Sequence, residues 1–96
     1  MKVRWRKNAQ LDLVEIDAHI RQENPHAANR VVSAIRQETV QLIQTPLVGR
    51  PGRVENTREL VMTKLPFIVA YQIMPSSIEI LAVIHTARLW PENFPE

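Results

Sequence analysis

Residues 2–6 alternate strictly, with Val3 and Trp5 on one side and Lys2, Arg4 and Arg6 on the other. That is the period of a half-buried strand, and the charged side suits a sheet edge, where it discourages unwanted pairing. From residue 9 to residue 23 the period becomes helical. Leu13, Ile16 and Ile20 stand at i, i+3 and i+7, with Ala9 one turn upstream, and Leu11, Val14 and Ala18 broaden the apolar stripe. Asn8 is placed to cap this helix, and Asp12, Glu15 and Asp17 lie in its first half, where they oppose the positive end of its dipole. Asn24-Pro25 ends the helix and opens another, because proline disfavours helical geometry at the residue before it and suits the first position of a helix. Ala28, Val31, Val32, Ile35, Thr39, Leu42 and Ile43 then give the strongest helical period in the chain. The short connection predicts an antiparallel helical pair whose stripes face a sheet.

Thr45-Pro46 ends the second helix. The loop Gly49-Arg50-Pro51-Gly52-Arg53 holds both glycines, which predicts unusual dihedrals or close backbone approach there. Residues 57–63, 67–73 and 78–85 read as three strands. Lys64-Leu65-Pro66 and Met74-Pro75-Ser76-Ser77 are short enough to make them an antiparallel meander. The runs FIVAYQI and IEILAVI are apolar on both parities, so they belong at the centre of the sheet or under cover on both faces. The expected fold is α+β: a two-layer sandwich of order β-α-α-β-β-β, an antiparallel sheet with a helical hairpin on one face. The place of the first strand in that sheet is not encoded in its pattern.

Ninety-six residues suit one domain spanning 1–96, and a hydrophobic share of 45% is that of an ordinary folded protein. The absence of any apolar run of about 18 residues excludes a spanning helix. The basic opening leads into an acidic amphipathic segment rather than a signal core, so a cytoplasmic location is expected, with no membrane partner. Without cysteine there is neither a disulfide framework nor a thiolate metal site. The net charge of +2 is distributed unevenly: residues 1–7 carry Lys2, Arg4, Arg6 and Lys7 with no acid. A second basic zone holds Arg50, Arg53, Arg58, Lys64 and Arg88. Such zones either receive a nucleic acid or acidic peptide, or are solvated charge without special purpose.

No metal site is expected from His19, His26 and His85, which are dispersed, and no cofactor is expected. The glycine-bearing loop lacks the spacing and terminal Gly-Lys-Ser/Thr of a phosphate-binding loop. One constellation remains: Arg53, Arg58, Lys64, Tyr71, His85 and Arg88. RNA cleavage by the 2′-OH needs a base, an acid for the leaving oxygen and cations for the phosphorane. His85 fits the acid–base role, and Arg58 with Arg88 fits a bidentate phosphate clamp. Alternation places His85 beside Leu81 and Val83, and Arg58 beside Leu60 and Met62. The competing reading is structural: His85 ends a buried strand, while Arg88 stacks on Trp90 or pairs with Glu92.

Nearly the whole chain resembles the RelE/ParE superfamily of toxins from bacterial type II toxin–antitoxin systems. The resemblance runs through Trp5, Ala9…Leu13…Ile16…Ile20, Asn24-Pro25-His26-Ala27-Ala28, Gly49-Arg50-Pro51-Gly52-Arg53…Thr57-Arg58-Glu59-Leu60-Val61 and Ile78-Glu79-Ile80-Leu81…Val83-Ile84-His85…Arg88. It implies a growth inhibitor neutralised by a cognate antitoxin in a hetero-oligomer, acting either on DNA gyrase or, with the ribosome, as an mRNA endoribonuclease. Endonuclease membership would make Arg58, His85 and Arg88 catalytic; on either side of the family Arg50, Arg53 and Lys64 are expected to contact nucleic acid or target. A third alternative is a degenerate relative that binds antitoxin without toxicity. The chain lacks a lysine-rich loop before the second strand and the C-terminal tyrosine or histidine-tyrosine pair of several nucleases. Its tail is Trp90-Pro91-Glu92-Asn93-Phe94-Pro95-Glu96. With the modest net charge, these departures point to the ParE-like, gyrase-directed side.

Overall fold

The computed structural model describes residues 1–94; Pro95 and Glu96 of the proline-bearing tail lie outside the described residues. In chain order the elements are β1 (Lys2–Trp5), α1 (Lys7–Arg21), α2 (Pro25–Gln41), β2 (Arg50–Pro51), β3 (Arg58–Val61), β4 (Phe67–Ile73) and β5 (Ser77–His85). They form a five-stranded sheet of order β1-β5-β4-β3-β2 with the helical hairpin on one face. The meander from β3 to β5 is antiparallel, as its short turns require. β1 joins it in parallel beside β5, with Val3 opposite Ile78 and Trp5 opposite Ile80. The sheet is therefore mixed rather than wholly antiparallel. A parallel neighbour needs a crossover, and here the connection runs through the helical hairpin to the far edge of the sheet and back through β2, β3 and β4.

The helix boundaries differ from expectation at the first helix. α1 begins at Lys7, its N-cap is Arg6 with no side-chain capping bond, and Asn8 lies inside the helix. The chain enters α1 directly from β1, where the Arg6 N–H donates to Ile80 O at 3.0 Å, leaving no turn in which Asn8 can cap. α2 starts as anticipated: Asn24 is the N-cap and accepts from Ala27 N at 3.0 Å, with Pro25 at the first helical position. Ala9 and Leu13 of α1 and Ala28, Ile35, Thr39 and Leu42 in and just beyond α2 are buried. Of these, Ala9, Leu13, Ile35 and Leu42 meet Val69, Tyr71, Ile78, Ile80 and Val83 of the sheet in the main core. Leu11, Val14 and Ala18 do not broaden that stripe; they are exposed on the opposite side of α1.

The other sheet face is covered too, by the tail. Trp90 and Phe94 pack on Ala70, Leu81, Ala82 and Ile84, which explains why β4 and β5 are apolar on both parities. A bulge lies in the β4–β5 pair: Ala70 opposes Ala82 and Tyr71 opposes Ile80, so Leu81 is the extra residue. Parity changes there. Val83 faces the helices with Ile78 and Ile80, whereas Leu81 turns to the tail-covered face. His85 therefore shares a face with Val83 but not with Leu81, contrary to uninterrupted alternation.

The loop before β3 contains a two-residue strand, Arg50–Pro51, antiparallel to β3. Neither glycine there has positive φ; the left-handed residue is Asn56, at φ 63. Gly49 is required by close approach: a Cβ on it would lie 2.5 Å from Tyr71 Oη. No helix among the described residues is long and apolar enough to cross a membrane.

Candidate functional site

The sequence-predicted residues separate into three places. At the first, β3 presents Arg58 and Glu59 to opposite faces. Arg58 lies opposite Tyr71 on β4, on the helix side, and its Nη1 donates to the carbonyls of Leu47 and Gly49. Tyr71, fully buried, donates from Oη to Pro46 O at 2.7 Å and accepts from Gly49 N at 2.9 Å. Burial pushes its phenol above the usual tyrosine value, against the lowering effects of the Gly49 N–H and Arg58. These bonds pin the segment leaving α2 to the sheet, and Arg58 is part of the pin.

On the tail side, Glu59 collects the loop cations. It is 2% exposed, and it accepts from Arg50 Nε and Nη2 at 3.0 and 2.9 Å, from the Arg53 N–H at 2.8 Å and from Arg53 Nε at 3.2 Å. Burial alone would raise its carboxyl; the bonds from Arg53 and Arg50 outweigh that and hold it below the usual glutamate value. The Arg53 guanidinium also sits 3.9 Å from the Trp90 ring centroid, and Trp90 meets Phe94 edge-on at 6.3 Å. Arg50 and Arg53 are thus spent on an internal carboxylate and an aromatic ring. Arg53, not Arg88, is the arginine on Trp90. Lys64 is exposed in the turn after β3, away from both.

The third place is a cleft of about 490 Å³ between α1 and the end of β5. Ile16, Ile20, Phe67 and Val83 form its apolar floor, and Asp12, Glu15, His19, His85 and Arg88 line its rim. His85 is held edge-on to Phe67 at 5.4 Å, and its Nδ1 accepts from Ala87 N at 3.0 Å, which leaves Nε2 to carry the proton of the neutral ring. Arg88 N donates to His85 O at 2.9 Å, closing the turn that places the two side chains together. Asp12 Oδ2 accepts from Val83 N at 2.9 Å. β1 ends opposite Ile80, so this carboxylate satisfies a strand N–H that has no neighbouring strand on that side. Burial raises the Asp12 pKa, and Glu15 adds to the rise; the Val83 N–H and Arg88 act against it.

His85 and Arg88 are therefore brought together, and Arg58 is not with them. Arg58 is level with Tyr71 and His85 with Phe67, which is about 13 Å apart along β4, with two strand spacings across the sheet besides. Among the described residues no group of three His, Cys, Asp or Glu side chains is arranged to hold a metal ion. Asp12, Glu59 and Trp90 are not among the site residues expected from the sequence. Glu59 carries a signal in hindsight, an acid of buried parity between arginine-bearing segments, but Asp12 carries none, because its partner is 71 residues away.

The chain matches the family of the ParE toxin of type II toxin-antitoxin system, parDE, over residues 3–90. It is 42% identical over 91 residues to a protein of Sinorhizobium fredii (strain NBRC 101917 / NGR234) described as "Putative toxin Y4kP", with 95% of this chain and 94% of that relative covered. Among solved structures, a chain of the chromosomal ParDE TA system from P. aeruginosa is similar at a TM-score of 0.81 and 26% identity, covering 88% of this chain and 95% of that one. Its fold and its relatives agree with the resemblance read from the residues: the chain belongs to the ParE toxin family and is the toxin component of a type II toxin–antitoxin system.

Proposed function

We propose that this toxin inhibits growth by acting on DNA gyrase in the cytoplasm and is held inactive by its cognate antitoxin. The observation that carries the gyrase reading is the dispersal of the groups a phosphodiester-cleaving centre would need. Arg58 is bonded to backbone carbonyls, Arg50 and Arg53 are both paired with Glu59, and of the sequence-predicted site residues only His85 and Arg88 share a cleft. A toxin that works by binding needs no convergence of acid, base and clamp, whereas cleavage does. Purified gyrase should lose supercoiling activity when titrated with the toxin, and regain it when antitoxin is added. Full supercoiling at saturating toxin would refute the reading.

One observation favours the endoribonuclease alternative. His85, Arg88 and Asp12 meet at one cleft, pairing a titratable ring with a cation, and a ribosome that positions the RNA could supply the remaining catalysis. Under that reading His85→Ala with Arg88→Ala abolishes translation arrest. Under the gyrase reading the double variant leaves translation untouched.

A further inference from the structure

The basic opening of the chain and its arginine-bearing loop, far apart in sequence, fold onto one surface. The tail side of the sheet carries Lys2, Arg4 and Arg6 along β1 at one edge, and Arg50 with Arg53 at the other. Arg4 stands opposite Glu79 on β5, and Glu79 opposite Gln72 on β4, with Arg6 Nη2 donating to Gln72 Oε1 at 3.4 Å. Two carboxylates therefore lie between the edges. Glu79 accepts from Ser77 Oγ at 2.8 Å and has Arg4 Nε at 3.7 Å and Arg6 Nε at 3.6 Å, while Glu59 holds Arg50 and Arg53 more closely. Each acid is shared by two guanidinium groups, so each cluster keeps one net positive charge, and Lys2 adds another. The acids are 7% and 2% exposed, whereas the side chains of Arg4, Arg50 and Arg53 are half exposed or more. The charge that reaches solvent on this face is positive.

The spacing of the two edges selects the occupant. Four strand spacings separate β1 from β2, about 19 Å. Cations at that separation reach phosphates on both sides of a major groove, which is about 12 Å wide. Only a double helix presents two phosphate rows side by side. A single strand would need exposed rings on which to stack its bases, and this face presents none among the described residues. Trp5, Phe67 and Tyr71 belong to the main core, and Trp90 and Phe94 pack down onto Ala70, Leu81, Ala82 and Ile84. We propose that this face of the sheet binds the backbone of duplex DNA, through Lys2 and Arg4 at one edge and Arg50 and Arg53 at the other. Phosphate contacts of this kind carry no sequence information, so binding is independent of sequence. The buried acids hold the guanidinium groups in place, which lowers the entropy lost when phosphates arrive. That the duplex is the one gyrase holds rests on the gyrase reading; the surface itself does not.

Fluorescence anisotropy of a labelled duplex of about 20 base pairs, titrated with the full-length toxin, tests the proposal. At about 50 mM salt Kd should be micromolar, and log K should fall against log salt with a slope near −3, each neutralised phosphate contributing about −0.9. Lys2→Gln combined with Arg4→Gln should raise Kd about tenfold and flatten the slope by about 2. Arg50→Gln, at the opposite edge, should flatten it by about 1. Lys64→Gln removes an equal charge from the exposed turn after β3 and should leave the slope unchanged. Circular dichroism verifies the fold of each variant. No binding at about 50 mM salt would overturn the proposal. So would an equal loss from Lys64→Gln, which would reduce the effect to net charge, or tighter binding to single-stranded RNA of the same length. Inhibition of gyrase without affinity for the duplex would overturn this inference alone. Affinity for the duplex without inhibition would support it and overturn the gyrase reading.

Discussion

The Glu59 cluster allows a worked prediction, because a nearly inaccessible carboxylate there accepts from two arginines and one backbone N–H. Glu59→Gln keeps the shape but removes the charge and turns one acceptor oxygen into a donor. The amide can satisfy the Arg50 guanidinium or the Arg53 N–H, but it then presents N–H to N–H at the other. A hydrogen bond involving a charged group contributes about 1.5–3 kcal/mol, and breaking a fully buried ion pair costs about 3–5 kcal/mol. Here the arginine side chains are half exposed and regain water when released, so the lower part of that range applies. The expected loss is about 2 kcal/mol of a total near 5–14 kcal/mol for a chain of this length. That corresponds to a fall in Tm of roughly 8–16 °C. Urea denaturation followed by far-ultraviolet circular dichroism measures it, and tryptophan fluorescence reports whether Trp90 leaves the sheet with the loop. The pH dependence has a definite sign. The Glu59 carboxyl is held below its unfolded value, so its contribution is complete above the ordinary glutamate pKa and is lost as pH falls through the folded one. The stability gap between wild type and Glu59→Gln must therefore shrink in acid. A loss below about 0.5 kcal/mol at pH 7, or a gap that does not narrow at low pH, would show that Glu59 is solvated and that the cluster does not hold the loop.

Two further stability predictions concern buried polar groups. Tyr71→Phe deletes the hydroxyl that joins Pro46 O to Gly49 N and should cost about 1–3 kcal/mol in chemical denaturation, with faster amide exchange at Gly49; unchanged exchange would count against the pin. Asp12→Asn keeps an acceptor for the Val83 N–H and removes a charge whose folded pKa is raised by burial, so ionisation works against the fold as pH rises through that pKa. The variant should be as stable as wild type or more so at pH 7, and it should lack this decline between acid and neutral pH. A clear destabilisation would mean that the charge itself is needed.

The local pattern alone determined the elements and the relative. Alternation marked β1, apolar runs bounded by turn residues marked the meander, the 3.6-residue period marked both helices, and Asn24-Pro25 placed the boundary between them, because each signal depends on neighbours a few residues apart. The ordered Gly-Arg, Arg-Glu-Leu and His…Arg pieces carried the family resemblance for the same reason. What tertiary structure decided was every relation between distant segments. It set β1 parallel beside β5, although four alternating residues hold no record of their partner. It inserted the Leu81 bulge, which turns Leu81 away from His85, and it laid Trp90 and Phe94 over the outer face. It also dispersed the arginines. Arg50 and Arg53 were drawn to Glu59 because a buried carboxylate must find cations, and Arg58 was drawn to the loop carbonyls of Leu47 and Gly49. The two apolar stripes of α1 make the same point: periodicity showed seven hydrophobic positions, and only packing against one sheet decided which of them remained facing outward.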